Sequence, residues 1–69
     1  MKYSIHLIDA NGKGTYLSVE GRTYWSKRTA LKYAQDVAST KKPVFDAVII
    51  EVEDDFGFVV KTYTREVTP

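Results

Sequence analysis

His6 is the only histidine of the chain, and cysteine is absent. Thiolate nucleophiles, disulfides and cysteine-ligated metals are therefore excluded. Nucleophile–base chemistry would have to hold a hydroxyl against His6, and a metal centre would need further ligands beside it. Ser4 and Ser18 are cross-strand candidates, but every hairpin supplies neighbours of that kind. The sequence thus reads His6 as a solvent-facing strand histidine and assigns no catalytic residue, no metal and no cofactor.

Two charged groups have residue types that can bind. The acids Glu51, Glu53, Asp54 and Asp55 fall within five positions. A calcium loop spaces its oxygens at alternating positions around a glycine and closes on a bidentate glutamate. Here Gly57 follows the acids and Glu66 lies too far along. The acids read instead as a solvated hairpin end that also discourages edge pairing, or as carboxylates that imitate nucleic-acid phosphates toward a basic protein channel. The basic set is Arg22, Lys27, Arg28 and Lys32, with Tyr24 and Trp25 between its members. Such residues can contact phosphates while an aromatic ring stacks on a base. Arg28 and Lys32 repel at i,i+4, so their clustering gives no local stability. Asp55-Phe56-Gly57 spells a kinase tripeptide but lacks the lysine strand and catalytic loop around it. Gly12-Lys13-Gly14 lacks the frame of a phosphate loop and opens a strand, not a helix.

Charge is uneven along the chain. Residues 1–42 carry a net +5 and residues 43–69 a net −4, within a total of +1. The halves either interleave in space and cancel or form a dipole that orients the molecule on a charged partner.

The elements that must position these groups follow from periodicity. Tyr3 to Ile8 alternates, Asn11-Gly12 supplies a turn, and Thr15 to Glu20 alternates again, which predicts a hairpin over 2–20. Gly14 can host a bulge. Ser26 is an N-cap residue, and Ala30, Leu31, Ala34, Val37 and Ala38 form one stripe of a helix over 26–42. Lys41 and Lys42 suit the negative end of its dipole, and Pro43 stops it. Val44 to Val52 is apolar enough for a central strand, with Val48, Ile50 and Val52 on one face and Ala47 and Ile49 on the other. Gly57 takes a positive φ in the next turn, and Phe58 to Arg65 returns. The expected fold is α+β, order ββαββ: one domain over 1–69, a four-stranded antiparallel sheet with one helix packed on one face, and a frayed tail at 67–69. The small alanines let the helix approach the sheet closely. The other face is open and rich in Tyr, Thr and Ser, which suits binding as well as cross-strand pairing.

A core of this size supplies only ~3–5 kcal/mol of net stability. No apolar run reaches the ~18 residues of a membrane span, and the first residues lack the apolar stretch of a signal peptide. The expected location is the cytoplasm.

Trp25-Ser26, Ala30 and Ala34 on a helix, Phe45-Asp46-Ala47-Val48, Glu51, Gly57 and Lys61, with Met1-Lys2 and Tyr3 leading, together resemble the phage-encoded type I-F anti-CRISPR proteins. The likeness covers most of the chain at scattered positions. It implies a compact, non-enzymatic phage protein of the host cytoplasm that docks on a crRNA-guided surveillance complex and obstructs target DNA. Small phage inhibitors of RNA polymerase are similar in strand–helix order. Interface residues do not carry over, because the loops between matched positions differ. The residues themselves leave two other readings open: a nucleic-acid-binding module using Arg22, Lys27, Arg28 and Lys32, and a subunit that self-assembles, as a homodimer, through its edge strands.

Overall fold

The computed structural model describes residues 1–18, 24–40 and 46–65. Four strands and one helix follow one another as β1 (Tyr3–Asp9), β2 (Gly14–Tyr16), α1 (Lys27–Ser39), β3 (Ala47–Asp54) and β4 (Val59–Thr64). The strands form one antiparallel sheet in the order β2-β1-β3-β4. The expected α+β fold with a helix on a four-stranded antiparallel sheet is the fold observed. No helix among the described residues is long and apolar enough to cross a membrane.

Pairing in the centre of the sheet sets which residues share a face. Ile5 lies opposite Val52 and Leu7 opposite Ile50. These four are buried with Ala30 and Ala34 of α1. The alanines have no exposed surface, so the helix backbone sits close against the strands, and Leu31, Val37 and Ala38 pack around that contact. Full burial of Ile5, Ile50 and Val52 contributes about 1.5–3 kcal/mol for each side chain. The helix starts where its sequence directs it: Ser26 is extended, and its hydroxyl accepts the Thr29 amide at 3.3 Å. It ends at Ser39, with Thr40 extended as the C-cap.

Strict alternation along β3 places Ala47 with Ile49, away from Ile50 and Val52. Ala47 is instead fully buried and belongs to the core. The cause is a register shift: Ile8 pairs with Ile49 but Asp9 with Ala47, so Val48 is an extra residue that reverses the parity. A second shift makes Val60 the extra residue of β4, and both Val59 and Val60 are exposed. The second strand is shorter than its alternation predicts. Only Gly14–Tyr16 is strand, although Leu17 still donates its amide to the Ile5 carbonyl and is buried. Beyond it, Tyr3 exchanges two backbone hydrogen bonds with Trp25 at 2.8 and 2.7 Å. The expectations for Val19–Thr23, Lys41–Phe45 and the 67–69 tail lie outside the described residues.

Both hairpins close with the same loop, Asp-x-x-Gly-x, over 9–13 and 54–58. In each, the aspartate carbonyl accepts the glycine amide, and its carboxylate accepts the amides two and four residues on, at 2.9–3.0 Å. Gly12 and Gly57 take φ of +85° and +86°, which costs glycine little. Asp54→Ala removes the carboxylate oxygen that accepts two of these hydrogen bonds. It should lower stability by about 1 kcal/mol and speed exchange of the Phe58 amide, as read by urea denaturation and hydrogen exchange. An unchanged midpoint would mean that the loop closes without its aspartate.

Candidate functional site on the open sheet face

Because Ile5, Leu7, Ile50 and Val52 point under the helix, the intervening residues point the other way. Across the sheet these are Tyr16, then Ser4, His6 and Ile8, then Ile49, Glu51 and Glu53, then Thr62 and Thr64. Among the described residues, no helix lies on this face. Among the described strand residues it carries two glutamates and no lysine or arginine.

His6 occupies its middle. It pairs with Tyr16 on one side and Glu51 on the other. Its Nδ1 lies 3.5 Å from Glu51 Oε1 and 3.4 Å from Glu53 Oε2. The three side chains are 24%, 25% and 12% exposed. The Tyr16 ring stacks on the imidazole with centroids 4.7 Å apart. Its hydroxyl donates to Glu53 Oε1 at 3.1 Å. A Cβ on Gly14 would overlap the imidazole Nε2, so glycine at 14 makes room for the ring. The sequence alone reads His6 as a solvent-facing strand histidine; the fold brings two carboxylates to it.

The same arrangement acts on Tyr16. Burial of the hydroxyl against the sheet, the hydrogen bond to Glu53 and the negative charge of Glu53 and Glu51 raise its pKa above the ordinary value of 10.0. Since the folded value is raised, the stabilising contribution is complete below about pH 10 and is lost as pH rises through the folded value. Ultraviolet titration of wild type and Glu53→Gln should show one tyrosine titrating at lower pH in the variant. Superimposable curves would contradict the Tyr16–Glu53 contact.

At the end of this face a groove of about 290 Å³ opens between Ser4, Tyr16 and Glu53, Tyr24, and Asp54, Asp55 and Gly57 of the β3–β4 hairpin. Two aromatic residues line it, the half-exposed Tyr16 and Tyr24, and in the hairpin loop Phe56 and Phe58 are 74% and 70% exposed. The acids named from sequence therefore divide by role. Glu51 and Glu53 face His6, the Asp54 carboxylate is engaged by the amides of its own loop, and Asp55 lines the groove.

The described members of the basic set do not join this site. Lys27, Arg28 and Lys32 are exposed on the helix, and Arg22 lies outside the described residues. Tyr24 lines the acidic groove. Trp25 is half-buried against the core, its ring edge-to-face with Tyr33 at 5.6 Å. Among the described residues, Lys27, Arg28 and Lys32 thus lie on the helix side of the sheet and Glu51 and Glu53 on the other.

His6, Glu51, Glu53 and Tyr16 were beyond sequence reasoning as a group. The available signal was that Glu51 and Glu53 share a face at i,i+2, but their pairing with His6 spans 45 residues. No protein-family model matches the chain, and no curated protein or solved structure matches it significantly.

Proposed function

We propose that this chain is a small, non-enzymatic inhibitor or adaptor. It binds a host nucleic-acid-processing complex and blocks it sterically, with its acidic open face and the adjoining hairpin end set against a basic surface. The observation that carries this reading is the segregation of charge. Glu51 and Glu53 lie on the uncovered side, and Asp55 lines the groove at its end with the half-exposed Tyr16 and Tyr24, while Phe56 and Phe58 are exposed in the adjoining loop. Machines that grip nucleic acid do so with Lys and Arg along the phosphates, so carboxylates flanked by aromatic rings fit such a surface. Exposed aromatic rings are among the residue types that anchor interfaces. A standard footprint of ~800 Å² per partner takes only a modest share of the 5106 Å² accessible surface. The likeness to type I-F anti-CRISPR proteins names the crRNA-guided surveillance complex as a partner, with RNA polymerase as the other host machine of this kind.

Affinity capture from nuclease-treated bacterial lysate tests this. Wild type and an R28E/K32E variant should retain subunits of a nucleic-acid-processing complex, and an E53K/D55K variant should not. Capture of no such machinery, or equal capture by the acid-face variant, would overturn it.

The exposure of Lys27, Arg28 and Lys32 on one helix supports a second reading, direct binding of nucleic acid. A gel shift with duplex and single strands at two salt concentrations separates the two. Binding that weakens with log salt and is lost in R28E/K32E favours the helix face, and no shift at low salt removes it.

A further inference from the structure

We propose that His6, Glu51 and Glu53 form a binding site for a divalent transition-metal ion of the zinc class, with Nδ1 and one oxygen from each glutamate as ligands. This inference does not rest on the partner-binding reading.

The distances carry it. At 3.4 and 3.5 Å, His6 Nδ1 is too far from either carboxylate for a well-formed N–H···O bond, which peaks at about 2.9–3.0 Å. A ring nitrogen nearly equidistant from two anionic oxygens is poorly served by a single proton. It is well served by a cation between the three atoms. With bonds of about 2.1 Å, adjacent ligands of a tetrahedral zinc ion stand about 3.4 Å apart. Both histidine–carboxylate separations already have that length. All three donor atoms lie within 4.8 Å of one another, so only the glutamate–glutamate edge must close, and glutamate side chains close it by rotation without moving the strands.

The donors are held in place. His6 lies on β1, and Glu51 and Glu53 lie on β3. These are the two central strands, each paired on both sides. The imidazole is fixed from two directions, by Tyr16 stacked on its face and by Gly14 beneath Nε2. Its Nδ1 edge is thereby turned toward the carboxylates. Tyr16 donates to Glu53, at 3.1 Å to Oε1 and at 3.5 Å to Oε2, and Oε2 is also the oxygen that faces His6. That is the outer-shell hydrogen bond that orients a ligating carboxylate. One imidazole with two carboxylates suits zinc better than calcium, which takes six to eight oxygen ligands. The partial exposure of all three side chains leaves a fourth position for water or a partner's group.

Zinc chloride, added to the metal-free full chain in calorimetry and in side-chain ¹⁵N NMR, is the test. One equivalent should bind, with the coordination shift at His6 Nδ1 and reversal by EDTA. H6Q and E51Q should weaken binding at least tenfold while keeping the wild-type circular dichroism spectrum. G14A keeps every ligand but displaces the imidazole, and Y16F keeps the ring but loses the hydroxyl. Each should weaken zinc about tenfold, the lower end of an outer-shell effect. Zinc affinity unchanged by H6Q, a shift confined to Nε2, or perturbation centred on Asp54 and Asp55 would overturn the site. Partner capture performed in EDTA reports on the partner-binding reading separately.

Discussion

Ile50→Ala should leave most of the chain unfolded at room temperature. Ile50 has no exposed surface and lies on β3 between Leu7 of β1 and Tyr63 of β4, in the core that the helix alanines close. Truncating a buried isoleucine costs about 2–5 kcal/mol, transfer and cavity together. A single core of this size holds only ~3–5 kcal/mol in reserve. The helix already sits close against the sheet through Ala30 and Ala34, so it cannot move in to close the gap. Ile49, one residue earlier and on the open face, provides the control. It is half-buried with no helix above it, and Ile49→Ala should cost about 1 kcal/mol or less. Circular dichroism against urea measures both. A cooperative Ile50→Ala transition near the wild-type midpoint would mean that the core lies elsewhere.

The largest expected effect on function comes from reversing charge on the open face. E53K/D55K should weaken binding to the captured complex by at least ~30-fold, since losing one member of a desolvated charge pair costs about 2–5 kcal/mol. Glu53 is the more important of the two because it is the least exposed of the His6-centred trio and orients Tyr16. Asp55 lies at the rim of the groove, where a charge acts mainly on the association rate and its salt dependence. R28E/K32E, on the opposite side of the sheet, should leave affinity within about twofold, as expected for distant sites. Surface plasmon resonance at two salt concentrations separates the rate and affinity effects. Equal losses in the two variants would mean that charge acts through the whole molecule and not through one face.

The parts of the fold legible in the sequence are those that local chemistry dictates. Ser26 caps the helix because its hydroxyl reaches the Thr29 amide within one turn. The 30, 34, 37, 38 stripe needs only helical geometry to find the sheet. The apolar run ending at Val52 requires a central strand, and β3 is one. Gly57 takes its positive φ because the Asp54 loop demands it. What escapes local reading depends on register. Ala47 joins the core only because Val48 is an inserted residue in the β1–β3 ladder, and alternation cannot reveal that. His6 meets Glu51 and Glu53 through the same ladder, across 45 positions. A one-residue slip would send all three side chains beneath the helix. Trp25, an apparent anchor by residue type, is half-buried, because its backbone is tied to Tyr3 and its ring packs on the core and on Tyr33. The kinship of the two Asp-x-x-Gly-x loops rests on hydrogen bonds that spacing alone does not specify.

In the proposed action, the chain occupies a basic surface in place of nucleic acid and transforms nothing. The most direct measurement is a competition. Labelled nucleic acid is bound to the captured host complex, the protein is titrated in, and release is followed by fluorescence anisotropy, with intact masses of all components recorded before and after. The account predicts stoichiometric release, no covalent change in any component, and no release by E53K/D55K at the same concentration. Nucleic acid that stays bound while the protein is also bound, or a modified product in the mass spectrum, would contradict it.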